Sequence, residues 1–252
     1  MTERLPRLIA FFAPAAVMSA WATVMLHSLA TGQIKELLSP LFRDYVLVAS
    51  ISLLVLSALY LFLYQPPPVA SPKGWLRSTG RWLVLFVPVI AAAMLSPSTL
   101  SGTTLANRAP STAGAAPMPT WSSSNDANTK ALLDSDPNQP VPVEVTDLIA
   151  LSRAPEQMKA FEGRKVRVVG LLNRAGGGDP TIFRWIMYCC AADAQPASVQ
   201  LAGKADGDWK DTQWLEAVGT VRFPSTLGHV VPTIELDSIK PTGEPDEPYL
   251  SP

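Results

Sequence analysis

Twenty consecutive residues, Tyr45 to Tyr64, carry no charged side chain and are almost wholly apolar. A helix of roughly 20 residues rising 1.5 Å each crosses a hydrocarbon core of about 30 Å, so this run fits a membrane span. A second such run, Leu8 to Ala30, is interrupted only by Pro14 and by His27 near its end. A third, Trp82 to Leu95, is shorter, contains Pro88 and extends to about residue 98 through a Ser/Pro stretch. The spans are therefore predicted at 8–30, 45–64 and 82–98, within a membrane region of residues 1–95. An interfacial or re-entrant helix is the alternative for the third. A cleaved signal peptide competes for the first, with Arg4 and Arg7 as its charged leader. Its apolar core exceeds the usual 7–15 residues or so, which favours a retained helix.

Basic residues set the predicted orientation. Arg4 and Arg7 precede the first span, and Lys73, Arg77 and Arg81 lie between the second and third. The amino terminus and the second loop are thus expected in the cytoplasm. Three spans then leave everything after Leu95 outside it, whereas two would reverse the result. His27 is an ionisable group inside a span and a functional candidate on that ground. Its nearness to Gly32 also allows a plain interfacial role.

Residues 96–140 are rich in Ser, Thr, Ala, Pro and Asn without apolar periodicity. Such a composition buries too little surface to offset chain entropy, so a disordered tether is expected, with one helical turn at Thr129–Leu133. From Val141 the pattern changes. Thr146 is read as the N-cap of a short helix, Asp147 to Leu151, and Pro155 opens a second that ends at Gly163. Strands are predicted at 165–171, with Gly170 at a bulge or bend, and at 181–190, 198–202, 214–223 and 233–239. The expected fold class is a membrane α-helical amino-terminal region plus a small all-β, OB-like five-stranded barrel with short flanking helices. A half-open β-sandwich is the alternative. The barrel domain is assigned to 141–245, and 246–252 to a tail that is either flexible or a docking segment.

The chemistry concentrates at Cys189 and Cys190, the only cysteines of the chain. Adjacent Cα atoms lie about 3.8 Å apart, closer than ordinary disulfides prefer, so a bridge here is strained and easily reduced. In a regular strand the two side chains would face opposite ways. They cooperate only if the strand ends in a bend, which the following Ala-Ala-Asp193 permits. Three readings stand: structural thiols, a soft-ligand or redox site, and a zinc site. Two thiolates suit Cu(I) or a trivalent metalloid. Zinc would need further donors, for which Asp193 and His229 are the candidates. Arg184 leads into the cysteines and is read either as an exposed strand residue or as a support for the turn. Trp209 and Trp214 are expected to cover the core.

No nucleophile–base pair or phosphate loop appears, and His27 and His229 are the only histidines, so no enzyme is predicted. A net charge of -1 argues against nucleic acid. No cofactor is required by the sequence, and its identity, if any, is open.

His27…Thr31-Gly32, the strand Gly163-Arg-Lys-Val-Arg-Val-Val-Gly170, Cys189-Cys-Ala-Ala-Asp-Ala194, Trp214-Leu-Glu-Ala-Val-Gly-Thr220 and the terminal Pro-Tyr-Leu250 together resemble the YcgQ-like, DUF1980-type permease subunits, bacterial membrane proteins built around a domain of unknown function. The resemblance implies a partner, a polytopic YcgR-like permease, and multi-pass placement in the cell's inner membrane. An accessory subunit of a two-component permease is therefore expected, whose tethered domain captures or gates a solute, with Cys189 and Cys190 read from the residues as the carriers of any soft-ligand capture. The alternative is a membrane-anchored metal- or metalloid-binding or redox-sensing protein acting without a transporter.

Overall fold

A computed structural model describes residues 4–64, 84, 87, 88, 90, 136, 139–174, 179–203, 207, 209–226 and 229–250. It divides into two compact units, one within residues 1–99 and the other within 100–252. Most of the linker expected at 96–140 and most of the third apolar run lie outside the described residues.

In the first unit, α1 (Arg4–Ala30) and α3 (Pro40–Leu63) flank a single turn, α2 (Ile34–Leu37). Gly32, at φ 78°, reverses the chain after α1. The second helix begins five residues before the predicted span because Pro40 occupies its first turn, where a missing N–H costs nothing. Two stretches, Phe11–Ala30 and Pro40–Leu63, are long and apolar enough to cross a membrane. The helices meet through small residues. Ala15 and Ala22 are buried, the Ser19 and Ser57 hydroxyls lie 2.9 Å apart, and Ser57 donates to the Ala15 carbonyl at 3.0 Å. Small side chains permit close backbone approach, and shared hydroxyls satisfy one another where lipid supplies no partner. Large apolar side chains of α3, among them Val48, Ile51, Val55 and Leu59, point away from α1 and are exposed.

The second unit is a closed five-stranded barrel. A two-residue strand β1 (Val141–Pro142) leads into α4 (Val145–Leu151) and α5 (Pro155–Phe161). Strands β2 (Lys165–Asn173), β3 (Thr181–Ile186), β4 (Gln195–Ala202), β5 (Trp214–Arg222) and β8 (Thr233–Pro241) form the wall. The hairpin β6 (Ser225–Thr226) and β7 (His229–Val230) lies between β5 and β8, and β9 (Tyr249–Leu250) follows. Around the barrel the order is β2-β3-β4-β8-β5 and back to β2. All of these pairings are antiparallel except β4 with β8. This is the Greek-key connectivity expected of an OB-type barrel, and the pairing of β2 with both β3 and β5 excludes the half-open sandwich.

Closure depends on β2 bending from one partner to the other. Its residues 165–171 pair with β5 and 171–173 with β3. Gly170 sits at that corner, where a Cβ would lie 2.7 Å from the Phe183 carbonyl oxygen and 2.9 Å from the Ile182 side chain. Of the bulge or bend expected at Gly170, the structure has the bend, made at a close approach to β3. The register shift falls opposite Val218–Gly219, leaving Asp237 of β8 as the extra residue.

Inward residues alternate along β2 and β5, with Val166, Val168 and Leu172 meeting Leu215, Ala217 and Val221 in the core. Val145, Leu148 and Leu151 of α4 join them at helical spacing, with Phe161 of α5. The N-cap of α4 is Glu144, not the predicted Thr146. Glu144 and Asp147 satisfy each other's backbone N–H groups in a reciprocal capping box.

The tail is part of the fold. Beyond residue 183, β2 leaves β3, and β9 pairs in parallel with Trp185–Ile186 of β3. Tyr249 and Leu250 are each 5% exposed. Tyr249 joins Leu171, Phe183, Trp185, Met187 and Ala194 in a second apolar cluster, packed also against Ala191 and Trp214.

Candidate functional site

The site begins where β3 ends. The Met187 N–H donates to the Leu250 carbonyl at 2.8 Å. The next three N–H groups turn to one side chain: Tyr188 donates to Asp193 Oδ1 at 2.9 Å, and Cys189 and Cys190 donate to Asp193 Oδ2 at 2.8 and 3.2 Å. Asp193 thus replaces the missing sheet partner. The strand predicted to reach Cys190 stops at Ile186 for this reason. Cys190, in extended conformation, opens a single 3-10 turn over Ala191–Asp193, and the Asp193 N–H closes it on the Cys190 carbonyl at 3.0 Å.

This bend removes the alternation that would have parted the two thiols. Cys189 Sγ and Cys190 Sγ lie 3.5 Å apart, and both cysteines are free. Cys189 is exposed and Cys190 partly buried. The two sulfurs and an Asp193 oxygen all lie within 4.8 Å of one another, a grouping that could hold a metal ion. A closed zinc site would want four protein ligands.

The Asp193 carboxylate hydrogen-bonds to the Cys189 thiol and pushes its pKa up to about 12, helped by the Cys190 thiol. Cys189 is accordingly protonated at neutral pH and is not an activated nucleophile. Partial burial alone would raise the Asp193 carboxyl. The Cys189 side chain and the N–H groups of Cys189, Tyr188 and Cys190 outweigh it and hold the carboxyl below its ordinary value. Burial raises the Tyr188 phenol and the nearby Asp193 charge adds to this, while Arg153 opposes both.

The remaining sequence candidates fall in different places. Arg184 is buried, 6% exposed, which corrects its reading as an exposed strand residue. Its guanidinium donates to the carbonyls of Pro248, at 3.3 Å, and Glu247, and lies 5.4 Å from the Trp214 ring centroid. Burial lowers its pKa and the Glu144 carboxylate works the other way. Arg184 therefore supports the turn indirectly, by holding the tail against β3. His229 has its backbone in β7, opposite Thr226. His27 is exposed in the last turn of α1, where its carbonyl accepts from the Thr31 hydroxyl at 2.9 Å. It belongs to the other unit. Trp209 and Trp214 pack on the two apolar clusters, as expected.

Leu250 and Tyr249 were not singled out from the sequence as part of the site. The available signal was an apolar pair closing a proline-rich, acidic segment.

No curated protein and no solved structure matches the chain. Residues 134–252 match the family model of the DUF1980 C-terminal domain. Barrel, cysteine turn and docked tail together therefore belong to the DUF1980 C-terminal domain family, in agreement with the DUF1980-type resemblance of the whole sequence.

Proposed function

We propose that the chain is an accessory membrane subunit of a two-component permease, whose tethered barrel presents a vicinal dithiol that captures a solute and passes it to the transporter. The observation that carries the reading is the pair of free thiols, 3.5 Å apart, on a turn built for them by Asp193. A structural pair would be expected inside the core, whereas Cys189 faces solvent. Exposure of Cys189 leaves its sulfur open to an incoming ligand, with the Cys190 sulfur beside it.

The membrane half supports the anchoring role. Two helices have the length and apolarity of spans, and α3 carries a broad apolar face suited to lipid or to a partner's helices. On this reading residues 82–98 form a third span, the basic residues before the first and third spans face the cytoplasm, and the barrel lies outside it. The protein acts without catalysis of its own. Its partner is a polytopic permease of the YcgR-like kind.

Purification of the tagged chain from its native membrane in mild detergent tests the assignment. A polytopic permease should co-purify in stoichiometric amount. Repeated recovery of the chain alone, from membranes that contain the permease, contradicts it and favours a sensor that works without a transporter.

A further inference from the structure

We infer that the turn chelates through its two sulfurs alone, and so takes a soft, thiophilic centre such as Cu(I) or a trivalent arsenical rather than a divalent ion with Asp193 as third ligand. The inference rests on the dithiol-capture reading above and narrows it to a ligand class.

Asp193 is already engaged within the turn. A carboxylate has about four acceptor positions. Three backbone N–H groups, those of Tyr188, Cys189 and Cys190, take three of them at 2.8–3.2 Å, and the Cys189 thiol hydrogen-bonds to the same carboxylate. A metal–oxygen bond of about 2.0–2.2 Å would compete with the same N–H groups. Those bonds make the turn that brings the sulfurs together, so recruiting the carboxylate works against the geometry that created the site. Asp193 is a clamp, and the donors left are Cys189 Sγ and Cys190 Sγ.

The thiol geometry agrees. With sulfur bonds of about 2.3 Å, a separation of 3.5 Å is bridged by one atom at an angle of roughly 100°. A pyramidal trivalent arsenic accepts that angle without opening the turn, whereas two-coordinate Cu(I) prefers a near-linear S–Cu–S and has to draw the sulfurs apart. Thiolates select soft centres, whereas divalent zinc in a closed protein site wants four ligands. Among the described residues, the grouping that could hold an ion contains Cys189, Cys190 and Asp193 and no fourth donor.

Both ligand classes balance chemically. Cu(I) replaces two thiol protons, giving a bis-thiolate complex and two released protons. Phenylarsine oxide condenses with both thiols, forming two As–S bonds and releasing one water.

The test uses the full-length protein in detergent, reduced, and titrated separately with Cu(I) buffered by a chromophoric chelator, with phenylarsine oxide and with Zn(II). The inference predicts one Cu(I) or one arsenical per chain, lost at least a hundredfold in a Cys189→Ser/Cys190→Ser variant. X-ray absorption of the wild-type complex should show two protein sulfurs and no carboxylate oxygen. Whichever soft probe binds identifies the source of the ligand. A carboxylate oxygen in the coordination shell, or thiol-dependent binding of Zn(II) without binding of either soft probe, overturns the inference and leaves dithiol capture standing. If none of the three binds in a thiol-dependent way, both fail.

Discussion

At the scale of single residues, Asp193 explains most of the site. One carboxylate gathers three consecutive N–H groups and one thiol, and the result is a pair of sulfurs facing the same way. Its hydrogen bond to the Cys189 thiol, more than its charge, also holds that thiol in the protonated form. In Asp193→Asn the thiol loses the anionic acceptor and its pKa falls toward the ordinary value. Alkylation of Cys189 in the metal-free protein at pH 8 should then quicken roughly tenfold or more. In the parent the rate should keep climbing with pH toward about 12. Equal rates, followed by mass spectrometry, would refute the coupling. Gly170 makes the second residue-level prediction. Gly170→Ala places a methyl 2.7 Å from the Phe183 carbonyl at the corner of β2, and the backbone of β3 cannot easily yield. A loss of about 3 kcal/mol in denaturant unfolding is expected, against less than about 0.5 for an exposed substitution such as Arg167→Ala.

The cysteine turn was partly legible in the sequence. Chain geometry alone requires a bend if neighbouring thiols are to cooperate, and the Ala-Ala-Asp segment offered one. The end of β3 was not legible, because Thr181 to Cys190 reads as one apolar, β-prone run. What ends the strand is a carboxylate that pairs with N–H groups three to five residues upstream, a local competition that hydrophobic patterning does not register. Glu144 was missed for a related reason. A threonine is the usual N-cap, and the reciprocal Glu144–Asp147 box displaced the start of α4 by two residues from the predicted Asp147.

Among elements, β9 carries the most unexpected role. The last described residues fill the edge that β2 abandons, and the Leu250 carbonyl holds Met187, the residue next to the segment clamped by Asp193. Arg184 fastens the same tail through two carbonyls. An arginine in a strand is ordinarily exposed, which is why its burial could not be read from sequence. Ending the chain at Pro248 removes two side chains that are each 5% exposed. It should cost about 3–5 kcal/mol. Dithiol binding of phenylarsine oxide should weaken with it, because the turn loses its fixed edge. Unchanged melting and unchanged arsenical affinity would show β9 to be dispensable. The existence and order of the five wall strands and the two short helices, by contrast, were readable, since alternation and proline or glycine punctuation act locally. Several ends moved: β3 stops at Ile186 and β4 already starts at Gln195.

The whole molecule divides into two units of different character. The amino-terminal unit supplies membrane-length helices joined through Ser19 and Ser57. The carboxy-terminal unit supplies a barrel whose interior is filled by side chains, leaving function to its surface. Apolar run length made the first unit legible. The position of the barrel relative to the membrane depends instead on the parity of spans, which the sequence assigns through a short, proline-bearing third run. The central claim is that the clamped dithiol is displayed outside the cytoplasm. Its most direct test is labelling of intact cells with a membrane-impermeant maleimide at alkaline pH, which favours the Cys189 thiolate, with Cys189→Ser/Cys190→Ser as the blank. The account predicts that the parent chain is labelled without permeabilisation, and that prior loading with phenylarsine oxide prevents it. Labelling that appears only after the membrane is opened would contradict the account.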